Sequence, residues 1–106
     1  MEWVILFIAG LFETAWAIGL KYTNGLTLLW PTVATLVIMV ISVVLLGIAM
    51  KTLPVGTAYA VWTGIGAAGT IIFGIVLFGD DASIGRLVCV ALILTGVIGL
   101  KLVGHD

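Results

Sequence analysis

Residues 3–20 read WVILFIAGLFETAWAIGL, an apolar stretch that holds a single charged residue, Glu13. A helix needs about 20 predominantly apolar residues to cross the hydrocarbon core of a bilayer. A carboxylate at the middle of such a helix costs about 2.5–3.5 kcal/mol on insertion scales, so it is normally paired, protonated or placed in a wet cavity. The stretch therefore predicts a transmembrane helix and marks Glu13 as a candidate functional residue.

The composition of the whole chain points to the same solvent. Of its 106 residues, 63% are hydrophobic and 8% are charged, and the mean hydropathy is +1.41. Soluble domains average about 25% charged residues, so a chain this apolar predicts an integral membrane protein with the lipid bilayer as its surroundings. Its net charge is −1 with only four Lys and Arg residues, which excludes a basic surface for nucleic acid.

Short polar or turn-forming breaks divide the chain into apolar segments of spanning length. Asn24-Gly25, Lys51 to Pro54 and Gly79 to Asp81 separate these segments. We predict an all-α protein with four transmembrane helices near residues 3–20, 29–50, 55–78 and 84–103, in a single domain over residues 1–106. We expect it to be a multi-pass protein of the inner (plasma) membrane.

Helical spacing indicates which side chains share a face with the acid. Gly10, Glu13 and Trp16 follow one another at intervals of three residues on the first helix. The third helix repeats this pattern with aromatic residues, and the second helix carries one hydroxyl near its middle. The predicted site comprises Gly10, Glu13, Trp16, Ser42, Tyr59 and Trp62.

Two interpretations of Glu13 are compatible with its position. No basic residue lies at mid-membrane depth to pair with it. A permanently protonated acid could hold helices together by a hydrogen bond to Ser42, Tyr59 or Trp62. Alternatively, Glu13 is a switchable site, because burial favours the neutral acid whereas an arriving cation favours the carboxylate. Alternation between a proton and a cation would suit proton-coupled exchange.

Residues 64–69 read GIGAAG, which has the form of a dinucleotide-binding G-x-G-x-x-G motif. That motif requires a preceding strand and an acidic residue about 20 positions later in a soluble βαβ unit. Here the run lies inside a predicted transmembrane helix. We interpret the glycines as sites of close helix packing, with a hinge as a functional variant.

The fourth helix and the charge distribution bear on assembly. Small residues recur on one side of that helix and predict a dimer contact. This predicted ridge comprises Gly85, Cys89, Leu92 and Gly96. Lys51 and Lys101 fall on one side of the membrane, whereas Lys21 and Arg86 fall on the other. Orientation follows Lys and Arg bias, so balanced sides predict insertion both ways and an antiparallel pairing of two copies.

Several of these residues form motifs of a known family. The acid at Glu13, LKYTNGLTLLWP at 20–31, LPVGTAYAVWTGIG at 53–66 and the glycine-bearing fourth helix together resemble the small multidrug resistance transporters. The resemblance covers essentially the whole chain. It implies an antiparallel homodimer of four-helix subunits that exports cations in exchange for protons, without a cofactor or metal and without enzymatic activity.

The residues around Trp16 refine this resemblance. The run WAIGLKY at 16–22, together with Lys101, is similar to the guanidinium exporter subtype. The multidrug subtype typically has a glycine where Trp16 stands. Guanidinium is planar and permanently charged, and its N–H donors fit a carboxylate two bonds at a time. Glu13 of each subunit is expected to bind it in alternation with protons, which gives two protons exchanged for one guanidinium.

The other site residues have expected roles around the acid. Trp16 and Trp62 would restrict the size of the pocket and stack on the cation. Ser42 would orient the acid by a hydrogen bond, Tyr59 would be a second polar partner or a gate, and Gly10 would leave room beside the acid. The alternatives are a multidrug exporter of hydrophobic quaternary ammonium cations, in which the bulk of Trp16 is unexpected, and a non-transporting membrane helper protein, which needs no titratable centre.

Overall fold

A computed structural model describes residues 2–103, and this part of the chain is built from helices joined by short loops. The helices are α1 (Glu2–Tyr22), α2 (Leu29–Ala49), α3 (Val55–Phe78) and α4 (Ile84–Val103). All four are long and apolar enough to cross a membrane. Each helix begins within one residue of the start of its predicted segment. Apolar residues that lie in lipid must pair their backbone groups within a helix, so a helix begins where the apolar run begins. The all-α prediction is confirmed.

The first loop reverses the chain through consecutive left-handed residues. Asn24, Gly25 and Leu26 have φ values of 50, 72 and 68°. The buried Thr23 stabilises this conformation, since its hydroxyl donates to the carbonyl of Leu20 at 2.7 Å and accepts the Leu26 N–H at 3.1 Å. Asn tolerates the left-handed conformation, whereas it is unfavourable for a bulky residue, so the hydrogen bond to Thr23 offsets the strain at Leu26. The result is a short, ordered turn between α1 and α2.

The helices form a thin layer with α1 near its centre. α1 packs extensively against both α2 and α3, and α4 packs along α3. The principal dimensions are 43 × 34 × 17 Å. The smallest of these dimensions is half of the next, so the helices form an open layer and not a closed bundle. Consequently, most apolar side chains face outward and the chain encloses little interior of its own.

The buried core lies where the first half of α1 meets the end of α2 and the start of α3. Its members are Leu6, Ala9, Leu46, Ala49, Leu53, Ala58, Val61 and Trp62. The side chain of Trp16 packs against this cluster from the next turns of α1. The core therefore fixes the positions of α1, α2 and α3 directly beside the predicted site.

The contact between α3 and α4 uses a different face of α4 from the predicted ridge. A Cβ added to Gly64 would lie 2.7 Å from Cγ2 of Val97, so the glycine admits the α4 side chain. Val90 is also buried on this side of α4. The ridge residues Gly85, Cys89, Leu92 and Gly96 are exposed. Close packing at Gly64 agrees with the interpretation of the glycine run as a helix contact.

The basic residues lie at opposite ends of the layer. The Nζ atom of Lys21, at the end of α1, is 5.0 Å from the ring of Phe78 at the end of α3. The Nζ atom of Lys101, at the end of α4, is 5.0 Å from the ring of Trp3 at the start of α1. Contacts of this kind between a cation and an aromatic face are favourable, and they hold the helix ends together.

Candidate functional site

Glu13 lies on α1 where that helix crosses α3 at a glycine. A Cβ added to Gly66 would lie 2.8 Å from Cγ of Glu13 and closer still to the carboxylate. Real Cβ atoms do not approach other atoms so closely, so the glycine provides the space that the acid occupies. The two helices can therefore approach with the carboxyl group between them.

The carboxylate is half-buried, and one of its oxygens is unpartnered. Within residues 2–103, Oε1 of Glu13 is buried and has no hydrogen-bond partner. Buried polar atoms are nearly always hydrogen-bonded, and an exception calls for an explanation, such as a ligand. A structural acid would be bonded to a neighbouring helix, and the described contacts of Glu13 do not include such a bond.

Ser42 forms hydrogen bonds to other residues than the predicted partner, Glu13. Its hydroxyl donates to the carbonyl of Ala9 at 2.8 Å and accepts the indole N–H of Trp62 at 2.9 Å. A hydroxyl has a single hydrogen to donate, so the predicted hydrogen bond from Ser42 to Glu13 is not formed. Instead, Ser42 ties α1, α2 and α3 together and fixes the orientation of the Trp62 ring.

The aromatic residues differ in their exposure. Trp62 is only 9% exposed, whereas Tyr59 is 55% exposed, and their ring centroids lie 5.8 Å apart. Trp16 is half-buried, and its indole Nε1 is buried without a hydrogen-bond partner within residues 2–103. Among the same residues, Tyr59 forms no hydrogen bond to the acid. The structure brings Tyr59 and Trp62 together, and it leaves the Trp16 N–H available as a donor.

Gly10 differs from its predicted role. A Cβ added to Gly10 would lie 2.7 Å from both Cβ and Cγ2 of Ile65. The space that Gly10 leaves is thus filled by an α3 side chain one turn from the acid. Gly10 brings α1 close to α3, and it does so by accommodating Ile65 and not by leaving room for the acid.

The sequence comparisons give the family of the chain. A family model described as Small Multidrug Resistance protein matches residues 1–93. This chain belongs to the small multidrug resistance family. The resemblance seen in the motifs around Glu13 and Trp62 is thereby confirmed.

Several curated proteins of this family are similar to the chain over almost their full length. The guanidinium exporter of Yersinia pestis is 63% identical over 102 residues, which is 96% of this chain and 98% of the relative. The guanidinium exporter of Salmonella typhimurium strain LT2 is 60% identical over 105 residues, 99% of this chain and 100% of the relative. The guanidinium exporter of Proteus vulgaris is 59% identical over 102 residues, 96% and 98% of the two chains.

One residue beside the acid was not among the site residues predicted from the sequence. Thr14 is 5% exposed, and its hydroxyl lies 3.3 Å from the carbonyl of Gly10 and 3.2 Å from that of Gly66. A threonine in a membrane helix commonly donates a hydrogen bond to the carbonyl four residues earlier. The sequence alone therefore gives no reason to expect that Thr14 also bonds to another helix. The signal available was a hydroxyl directly after the acid.

A cavity of about 390 Å³ opens between α1 and α3, away from the carboxylate. Its lining is almost wholly apolar and consists of Leu11, Thr14, Ala15, Ile18, Gly69, Phe73 and Leu77. Glu13 is not among the lining residues, so this cavity does not suit a small cation. Residues 2–103 also contain no cluster of three or more His, Cys, Asp or Glu side chains that could hold a metal ion. The chemistry that this part of the chain offers is a carboxylate between helices with indole rings nearby.

Proposed function

We propose that this chain exports guanidinium across the inner (plasma) membrane in exchange for protons. The observation that carries the proposal is the buried, unpartnered Oε1 of Glu13 inside a membrane-spanning helix. Relatives that are about 60% identical to the chain are guanidinium exporters, and this supports guanidinium as the cation. A carboxylate offers two oxygens to the planar fork of N–H donors on guanidinium, and the match is both geometric and electrostatic.

The neighbouring residues suit a small, flat cation. Trp62 would form a rigid wall, because its N–H is held by Ser42 and its ring is buried. Trp16 would form a second wall and restrict the size of the site, since an indole face attracts a cation that stacks on it. Tyr59, which is exposed beside Trp62, would act as a further polar partner or as a gate.

A second copy of the chain would complete the site. The layer is 17 Å thick, and this supports a partner that covers its open face. The exposed small-residue ridge of α4, defined above by Gly85, Cys89, Leu92 and Gly96, would supply part of the dimer contact. The equal numbers of basic residues at the two ends of the layer favour copies of opposite orientation. Such an antiparallel homodimer would bring two Glu13 carboxyl groups to one site.

Two carboxyl groups at one site would determine how many protons are exchanged for each guanidinium. Each would carry a proton in the absence of substrate, and one guanidinium would displace both. The cycle then exchanges two protons for one guanidinium by alternating access, and an inward proton gradient drives export. Coupling follows because both ligands require Glu13 and cannot occupy it together.

The test is transport by the purified protein alone in liposomes. A guanidinium gradient should drive protons in the opposite direction, as reported by a pH-sensitive dye inside the vesicles. Exchange of two protons for one monovalent cation moves one net positive charge, so the flux should respond to a potassium diffusion potential set with valinomycin. Guanidinium flux without proton movement would indicate a channel, and absence of guanidinium flux would exclude the proposed function.

A further inference from the structure

The hydroxyl of Thr14 forms a side-chain hydrogen bond between α1 and α3 directly beside the acid. It lies 3.2 Å from the carbonyl oxygen of Gly66 on α3 and 3.3 Å from that of Gly10 on its own helix. The hydroxyl has one hydrogen, which these two carbonyls share or compete for. Because Gly66 is also the residue against which Glu13 lies, the hydrogen bond and the carboxylate meet at the same point of α3.

Thr14 packs against a glycine of α3 in the same way as Glu13, which precedes it on α1. A Cβ added to Gly69 would lie closest to the hydroxyl oxygen of Thr14, and 3.1 Å from its Cγ2. Glu13 and Thr14 are consecutive, and Gly66 and Gly69 are three apart on one face of α3. Two side chains of α1 thus fit against two glycines of α3. A shift of Thr14 along α3 would move Glu13 away from Gly66.

We infer that Thr14 is a positioning residue for Glu13. Its hydrogen bond to Gly66 fixes the register of α1 on α3 and thereby holds the carboxylate where the cation binds. This role rests on the proposed function, since it concerns the affinity of the same site. Thr14 itself does not contact the cation.

The hydrogen bonds around Gly66 make this inference testable without unfolding the protein. The carbonyl of Gly66 also accepts the hydroxyl of Thr70 at 2.6 Å. Replacing Thr14 with Val keeps the branched shape that fits against Gly69 and leaves the Gly66 carbonyl with a partner. Loss of a hydrogen bond is costly mainly when it leaves a buried group unpaired. T14V leaves no such group, so it should still fold and insert.

The expected effect of T14V is on affinity. Hydrogen bonds between membrane helices contribute about 0.6 kcal/mol on average, which corresponds to about threefold in a binding constant. We expect the KM for guanidinium to rise about threefold in liposome transport, with the maximal rate changed less than twofold. Loss of folded protein would instead lower the maximal rate and leave KM unchanged.

Matched variants separate the effect of the hydroxyl from that of the methyl group. T14S and T14A both lack the methyl group, so they differ only in the hydroxyl. The KM for guanidinium should be lower for T14S than for T14A. T70V removes an intrahelical donor to the same carbonyl and should leave KM close to that of the unmodified protein. This pair of comparisons also decides the matter if T14V does not insert.

Several results would overturn the inference. These are a KM for T14V equal to that of the unmodified protein, equal KM values for T14S and T14A, or an equal rise in T70V. The unmodified protein is measured in parallel for guanidinium-driven proton movement. If it fails to transport, the proposed function itself is wrong, whereas normal transport with an unchanged T14V removes only the role of Thr14.

Discussion

Replacement of Glu13 by Gln isolates the charge of the acid from its shape. Gln has nearly the same size and hydrogen-bonding reach, so it should fit the space at Gly66 that Glu13 occupies. It cannot carry a negative charge or exchange a proton. In a homodimer the substitution removes both carboxylates at once.

The magnitude follows from the position of the carboxylate. Glu13 is half-buried, so an effective dielectric constant of about 20 is appropriate, and a cation 4 Å away then gains about 4 kcal/mol from one carboxylate. Each 1.4 kcal/mol is about tenfold in affinity. We therefore expect E13Q to bind guanidinium at least about 1,000-fold more weakly, which amounts to no detectable binding in a calorimetric titration.

The dependence of binding on pH gives the sign of the coupling. Protonation neutralises Glu13, so the apparent affinity of the unmodified protein should fall as the pH is lowered. If each cation displaces two protons, the affinity should fall by up to about 100-fold per pH unit in the acidic limit. Titration of the detergent-solubilised protein with guanidinium in weakly buffered solution should release protons, and E13Q should release none.

A control carboxylate lies on the same helix. Glu2 is in the first turn of α1, about 16 Å along the axis from Glu13 at 1.5 Å per residue. E2Q removes one negative charge from each chain and should leave both affinity and proton release unchanged. Normal guanidinium binding by E13Q would refute the reasoning, as would binding by the unmodified protein that releases no protons and is constant from acid to alkaline pH.

Three further predictions concern topology, size selection and packing. Two lysines added to the loop at residues 51–54 should bias insertion to one orientation and sharply reduce transport, with recovery when an oppositely biased variant is co-expressed; full activity of the biased variant alone would contradict the antiparallel dimer. Trp16→Gly should impair guanidinium transport and weaken selection against tetraalkylammonium ions, and unchanged selectivity in competition assays would reduce Trp16 to packing. Ser42→Ala leaves the buried N–H of Trp62 unpaired and should lower the free energy of unfolding by about 1–3 kcal/mol, measured in a detergent titration; Ser42→Thr, which keeps a hydroxyl, is the comparison, and equal stability of the two variants would show that the hydrogen bond contributes little.

Helix number and limits could be predicted because lipid acts on each segment separately. A run of apolar residues must span the bilayer and pair its own backbone groups, so the start and the end of α3 follow from residues such as Pro54 and Gly79. The glycine run at residues 64–69 could be interpreted for the same reason, since its local context excludes a nucleotide site. These inferences need no knowledge of how helices face each other.

Partner choice between helices could not be predicted in this way. Ser42 lies on the expected face of α2, yet its hydrogen goes to Ala9 and its lone pair to Trp62. That outcome depends on the rotation and separation of three helices, and close contacts at Gly10 and Gly19 contribute to both. The hydrogen bond of Thr14 depends likewise on Gly66 and Gly69 facing α1, and helical periodicity does not specify which neighbour each face meets.

The contacts around the acid hold its backbone in place and leave its buried carboxylate oxygen without a partner in the described chain. On α1, the carbonyl of Ala9 accepts a hydrogen bond from α2, Gly10 packs on α3, and Thr14 bonds to α3. These neighbours fix the backbone on both sides of Glu13, whose own Oε1 is unpartnered within residues 2–103. Binding of a cation or a proton to Glu13 would therefore break no hydrogen bond within residues 2–103. An acid oriented by a direct bond to Ser42 would lose that bond each time its ligand changed, so positioning through the backbone suits a site that must exchange one ligand for another.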